Sequence, residues 1–250
     1  MVEFGTPNLC SVADRYIEEL LSEFAMSKDL PATFQVPPHY ARPAERVADR
    51  WVHLVGLIAA AIGGLALLGL SLIGGRVGQA AAVGVYGLCL VTMFVASLVY
   101  NLGGDRFRPV LRRLDHAAIF LMIAGSYTPF TTQRLSGVWS WGMTTAVWVL
   151  SLGAAAGKLF APGLHKRFWV AVYLALGWLV IVAIRPMLAG VAPLPMALLL
   201  IGGLIYSLGV IVYLKHDLPF RRAIWHGFVT AAAATHFAAI LMGVVLAEPA

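Results

Sequence analysis

Seven apolar runs divide most of the chain: residues 51–73, 78–102, 114–131, 138–160, 168–188, 194–214 and 223–246. Each is long enough to cross a hydrocarbon layer of roughly 30 Å as a helix. The runs do not alternate with period two, so they predict helices rather than the strands of a barrel. The third is the shortest, and its apolar part begins only after Asp115 and His116. "GSYTPF" (125–130) is expected to end it at Pro129, with hydroxyls satisfying the freed carbonyls. The fifth carries Arg185 and Pro186 near its end. The predicted fold is all-α, a seven-transmembrane helix bundle.

The first 45 residues follow another pattern. "SVADRYIEELLSEFAM" places Val12, Tyr16, Leu20 and Phe24 at helical spacing behind a Ser11/Asp14 cap. Pro31, Pro37, Pro38 and Pro43 then predict an extended linker. The domain plan is a cytoplasmic arm over 1–45 and a membrane domain over 46–250. The arm's acidic face (Asp14, Glu18, Glu19, Glu23) suits a protein surface, its own or a partner's, better than anionic lipid.

Composition agrees with the membrane reading, since 60% of residues are hydrophobic and 12% charged, whereas a soluble domain carries about 25% charged residues. Of the 18 Lys and Arg, fifteen fall in the arm and the second, fourth and sixth loops. Only Arg76, Arg134 and Arg185 fall on the other side. Positive residues stay in the cytoplasm, so the N-terminus is expected inside and the C-terminus outside. The net charge of +6 is thereby a topology signal, and no nucleic-acid partner is implied. The expected location is a bacterial inner (plasma) membrane. Cys10 and Cys89 form no C-x-x-C pattern and imply no disulfide framework. The N-terminus does not read as a cleaved signal peptide.

Polar residues at membrane depth are costly, so they carry the information. His53 opens helix 1. Ser97 and Asn101 share a face at the end of helix 2. Asp115 and His116 open helix 3, and Arg222 and His226 open helix 7. All lie at one end of the bundle. Each has a plain structural explanation: a snorkelling arginine, a packing histidine, a serine bonded to its own helix, an aspartate cap. Their coincidence at one level points to a site. His236, ten residues beyond His226, is about 15 Å deeper and cannot share a metal with it.

At these residues the chain resembles the hemolysin III family, related to the progestin and adiponectin receptors. The resemblance spans about residues 45–246 and rests on "RLDHAAIFLMIAGSYTPF" (113–130), "IGGLIYSLGVIVY" (201–213) and "AIWHGFV" (223–229). It implies seven helices and a zinc site near the cytoplasmic face. The family's ligands are a helix 2 histidine in S-x-x-x-H and two histidines of H-x-x-x-H on helix 7. An aspartate opens helix 3 nearby, and a lipid-amide hydrolase activity has been proposed. Ser97, Asp115 and His226 match that pattern. Asn101 and Arg222 stand at the other two ligand positions, leaving His226 as the sole surviving family ligand.

An amide oxygen is a poor zinc donor beside imidazole, and a guanidinium has no lone pair. Zinc is therefore disfavoured and no cofactor is expected. Arg222 is expected to supply the missing positive charge by pairing with Asp115, with Asn101 and His226 nearby. The leading expectation is a metal-free, non-catalytic or regulatory protein of membrane or lipid homeostasis, with a membrane lipid or fatty-acyl ligand. The alternative is a zinc-dependent lipid amide or ester hydrolase with a rearranged site, to which His53 or His116 could contribute and in which Asp115 and Ser97 would be catalytic. A pore or transporter is a weaker third reading, because the charges gather at one end and line no through-path.

Overall fold

A computed structural model describes residues 39–161, 163–215 and 217–248. The capped helix expected at 11–26 lies outside the described residues. From Arg42 onward the chain is one compact unit of seven helical segments.

Helix α1 runs Pro43–Ile73, beginning well ahead of its apolar run. Pro43 in the first turn has its φ preset and no N–H to leave unpaired, and Glu45 suits the positive helix end. This early start draws Asp49 into the helix, one turn before His53. The buried positions of α1 are Asp49, His53, Gly56, Ala60, Leu67 and Ser71, a single helical stripe with polar groups at both ends. Trp51, Val55, Ile58, Ile62 and Leu65 face outward.

Helix α2 spans Val77–Leu102 and α3 spans Arg108–Gln133. The third helix does not end at Pro129, as its sequence suggested. It continues for another turn, and hydroxyls around the proline bond back to the helix: Thr128 donates to Ala124 O at 2.8 Å and Thr132 to Thr128 O at 2.7 Å. Pro129 is internal to the helix, a position tolerated in membrane-spanning helices more than in soluble ones. Helix α4 spans Gly137–Phe160.

Helix α5, Lys166–Gly190, is composite. An α-helix over Lys166–Gly177 gives way to a 3-10 turn, Leu179–Ala183, and a second α-helix, Ile184–Gly190. The break puts Pro186 in the first turn of the second piece, where proline is tolerated. The Tyr127 hydroxyl lies 3.0 and 2.9 Å from the carbonyls of Leu176 and Gly177 and accepts the Val180 N–H at 2.8 Å. One side chain of α3 thus serves the irregular backbone of α5.

Helix α6 spans Pro193–Leu214. Helix α7 spans Arg221–Ile240 and closes in a π-turn, Leu241–Val245. Six of the seven segments are long and apolar enough to cross a membrane. The exception is α3, which carries more polar residues and packs between α2 and α4. The chain is a multi-pass integral membrane protein.

Neighbours around the bundle run α4, α3, α2, α1, α7, α6, and α5 fills the remaining gap with the sparsest contacts. Apolar burial drives little association within lipid, so close approach and interhelical hydrogen bonds matter more. Gly64 and Gly87 show the first: a Cβ on Gly87 would lie 3.3 Å from the Gly64 Cα, so α1 and α2 meet almost backbone to backbone. Phe120 of α3 secures α5 by stacking on Tyr173 at 4.4 Å and meeting Trp169 edge-on at 6.0 Å.

Candidate metal centre at one end of the bundle

Asp49 and His53 are four residues apart and both are buried, so the start of α1 presents a carboxylate and an imidazole on one face. Across from them, α7 supplies His226. Its Nδ1 lies 2.6 Å from Asp49 Oδ1, and its ring centroid is 4.2 Å from that of His53. The donor atoms of Asp49, His53 and His226 all lie within 4.8 Å of one another.

The hydrogen bonds fix which ring nitrogens are available. His53 Nδ1 lies 2.8 Å from the backbone oxygen of Asp49. A carbonyl only accepts, so Nδ1 carries the hydrogen and the neutral ring has its lone pair on Nε2. The same reasoning applies to His226, whose Nδ1–H meets the Asp49 carboxylate. Both Nε2 atoms then face the Ser97 hydroxyl, at 3.0 Å from His53 and 3.5 Å from His226. Asp115 is also hydrogen-bonded to Ser97. Three acceptors converge on a group with one hydrogen to give.

That convergence is the electronic arrangement a cation satisfies. Two imidazoles with a carboxylate are the donor set of catalytic zinc sites that keep a fourth position open. Asp49 is itself one of the three donors, so an ion bound by all three would take the place of the Asp49–His226 hydrogen bond. The residues present therefore fit a divalent metal, through a set different from the one the family resemblance implied.

The six residues expected at the site, His53, Ser97, Asn101, Asp115, Arg222 and His226, all line one cavity of about 520 Å³. Asn101 turns back on its own helix, its amide donating to Ser97 O at 3.0 Å and Ser97 Oγ at 3.3 Å. Arg222 is half-buried, and its charge acts on Asp115 along with those of His226 and Asp49. The carboxylate that meets His226 directly is that of Asp49. His116 lines the same cavity beside Tyr100, with ring centroids 6.5 Å apart, and stands outside the three-residue cluster. His236 lies deeper, bonded to Leu199 O at 3.2 Å.

Asp49 was missed by sequence reasoning. It precedes the apolar run, residues 51–73, that marks the first span, and so was given no role. The available signal was D-x-x-x-H behind a helix-starting proline.

A polytopic helical protein with a buried Asp/His/His cluster at one end is the class these features define. The "Haemolysin-III related" family profile matches residues 43–237. The chain belongs to this family. It is 34% identical over 205 residues to "Hemolysin-3" of Bacillus cereus, covering 80% of this chain and 92% of that one. It is 35% identical over 161 residues to the "Hemolysin-3 homolog" of Bacillus subtilis (strain 168), covering 63% and 74%. The human "Monocyte to macrophage differentiation factor" is 32% identical over 170 residues, covering 62% and 67%.

Proposed function

We propose that this protein is a hydrolase of lipid amide or ester bonds whose divalent metal, zinc by donor chemistry, is held by Asp49, His53 and His226. The single observation behind this reading is the Asp49–His53–His226 cluster, with donor atoms within 4.8 Å, of which His53 and His226 line a cavity of about 520 Å³. Zinc bound there supplies a Lewis acid and lowers the pKa of a bound water to about 7. The chain's own residues do the rest. Ser97 and Asp115 form a hydrogen-bonded pair beside both imidazoles, placed to accept and pass on a proton. The apolar walls admit an acyl chain and exclude water.

The orientation belongs to the same proposal. The fifteen-to-three division of Lys and Arg supports a cytoplasmic N-terminus and an exported C-terminus, in a bacterial inner membrane. The metal centre then opens to the cytoplasm.

A metal-free regulatory lipid sensor is the second reading. It is favoured by Asn101 and Arg222 standing at two of the three family ligand positions, and by the direct Asp49–His226 contact at 2.6 Å, which holds the site together without an ion.

Elemental analysis separates the two. Full-length protein loaded with zinc and desalted is expected to retain about one equivalent per chain, lost in His53→Ala and His226→Ala. Substoichiometric zinc in the loaded wild type would overturn the hydrolase reading and leave the sensor.

A further inference from the structure

The cavity has a second polar wall that the metal centre does not use. His116 of α3 faces it, and its buried Nδ1 has no hydrogen-bond partner among the described residues. Arg112 of α3, Lys158 of α4 and Lys166 of α5 line the same cavity as His116, and their charges act on it. Arg221 and Arg222 in turn act on Lys166. Neither lysine, nor Arg112, has a carboxylate within 4.0 Å among the described residues. The acids nearby are Asp115, which is bonded to Ser97, and Asp217, whose charge acts on Arg221.

Interfacial lysines ordinarily extend toward water. These two are instead held against aromatic rings that line the cavity. Lys158 Nζ sits 5.0 Å above the Trp169 ring. Lys166 Nζ sits 4.0 Å above the Tyr213 ring and donates to Tyr213 O at 3.1 Å. Arg106 provides the contrast: it stacks on Phe107 at 5.5 Å, both are exposed, and neither lines the cavity. Like charges gathered around one space raise the free energy of the empty site, and an anion there lowers it. The same cavity is also lined by the apolar Met122, Ile123, Leu174 and Val210, with Ser126, Ser207 and Thr230 among its polar groups.

We propose that this wall is an anionic headgroup site: Arg112, Lys158 and Lys166, with His116 Nδ1, take the phosphate of a single-chain amphiphile whose tail fills the apolar depth. The site rests on the lipid-binding part of the proposed function and on neither the metal nor hydrolysis. It narrows the ligand class from membrane lipids in general to anionic ones, and it sets the headgroup on residues outside the Asp/His/His cluster.

Full-length protein, chelator-treated and held in a nonionic detergent, is titrated with four probes. These are oleoyl lysophosphatidate, oleoyl lysophosphatidylcholine, neutral monooleoylglycerol and inorganic phosphate. Lysophosphatidate is expected to bind about tenfold tighter than the phosphatidylcholine analogue. Lys158→Gln and Lys166→Gln should each reduce that preference roughly three- to fivefold. Lys158→Arg and Lys166→Arg should retain it, and monooleoylglycerol binding, unchanged in every variant, reports an intact cavity. Equal affinity for the two lysolipids, or a preference that survives in the double glutamine variant, would overturn the proposal. So would inorganic phosphate binding as tightly as lysophosphatidate, since the tail would then contribute nothing. The zinc content of the glutamine variants should equal that of wild type. Wild type that loses zinc yet prefers lysophosphatidate refutes the hydrolase alone.

Discussion

The two ends of this bundle both bury polar side chains, and they use them differently. At the far end, Arg76 Nη1 donates to the carbonyls of Val245 and Ala247 at 3.2 and 3.1 Å. Gln79 bridges Ser71 Oγ at 3.1 Å and Val245 O at 3.5 Å. Arg134 adds Val244 O at 3.3 Å and Glu248 O at 2.6 Å. These are donors closing the last carbonyls of α7, which a helix end leaves unpaired. At the other end, Asp49, His53, Ser97, Asp115 and His226 bond chiefly to one another. An end whose side chains serve the backbone is a clasp. An end whose ionisable side chains serve each other, with more acceptors than hydrogens, is a site.

The sharpest way to break this comparison is Asp49→Ala. The Asp49 carboxylate bonds His226 and is one of the three donors, so its loss should disturb both orientation and ligation, while the His53 bond to the Asp49 backbone oxygen is kept. The hydrogen bond from His226 to a charged group is worth about 1.5–3 kcal/mol, and a fall in thermal stability is expected with zinc retention abolished. Full zinc retention in this variant would show that Asp49 is only a packing partner of His226.

Arg76→Met comes next. It removes charge-assisted bonds to two carbonyls, worth about 1.5–3 kcal/mol, and should lower the melting temperature while leaving zinc content and lysolipid preference unchanged. Any loss of zinc in Arg76→Met would mean the two ends are coupled and the division into clasp and site is wrong.

The smallest effect is expected from Asn101→His. The amide now bonds back to Ser97, so an imidazole there changes little in stability, within about 0.5–1.5 kcal/mol. It adds one ligand beside two existing histidines, and zinc affinity should rise. Unchanged affinity would place Asn101 outside coordination reach of the cluster.

The all-α architecture was legible in the sequence because a membrane imposes a simple rule. Backbone polar groups must pair within each segment, so each apolar run is a helix and its length is set by the bilayer. The convergence of His53, Ser97, Asn101, Asp115, Arg222 and His226 on one cavity also follows from that rule, since counting spans puts their helix ends at one level. The missed features are those in which the rule bends. Pro129 is internal to α3, which continues to Gln133. Gly177–Ala183 breaks α5, because Tyr127 reaches across from another helix to satisfy it.

The sequence by itself determined which ionisable groups share a level: helix lengths and alternating direction order residues along the membrane normal. Only the tertiary structure decided which of them touch, because that depends on the rotation of each helix about its axis, and rotation is set by packing between segments far apart in the chain. Asp49 meets His226 across 177 positions, and Lys158 and Lys166 face the same cavity as His116, because side-chain packing turned those faces inward.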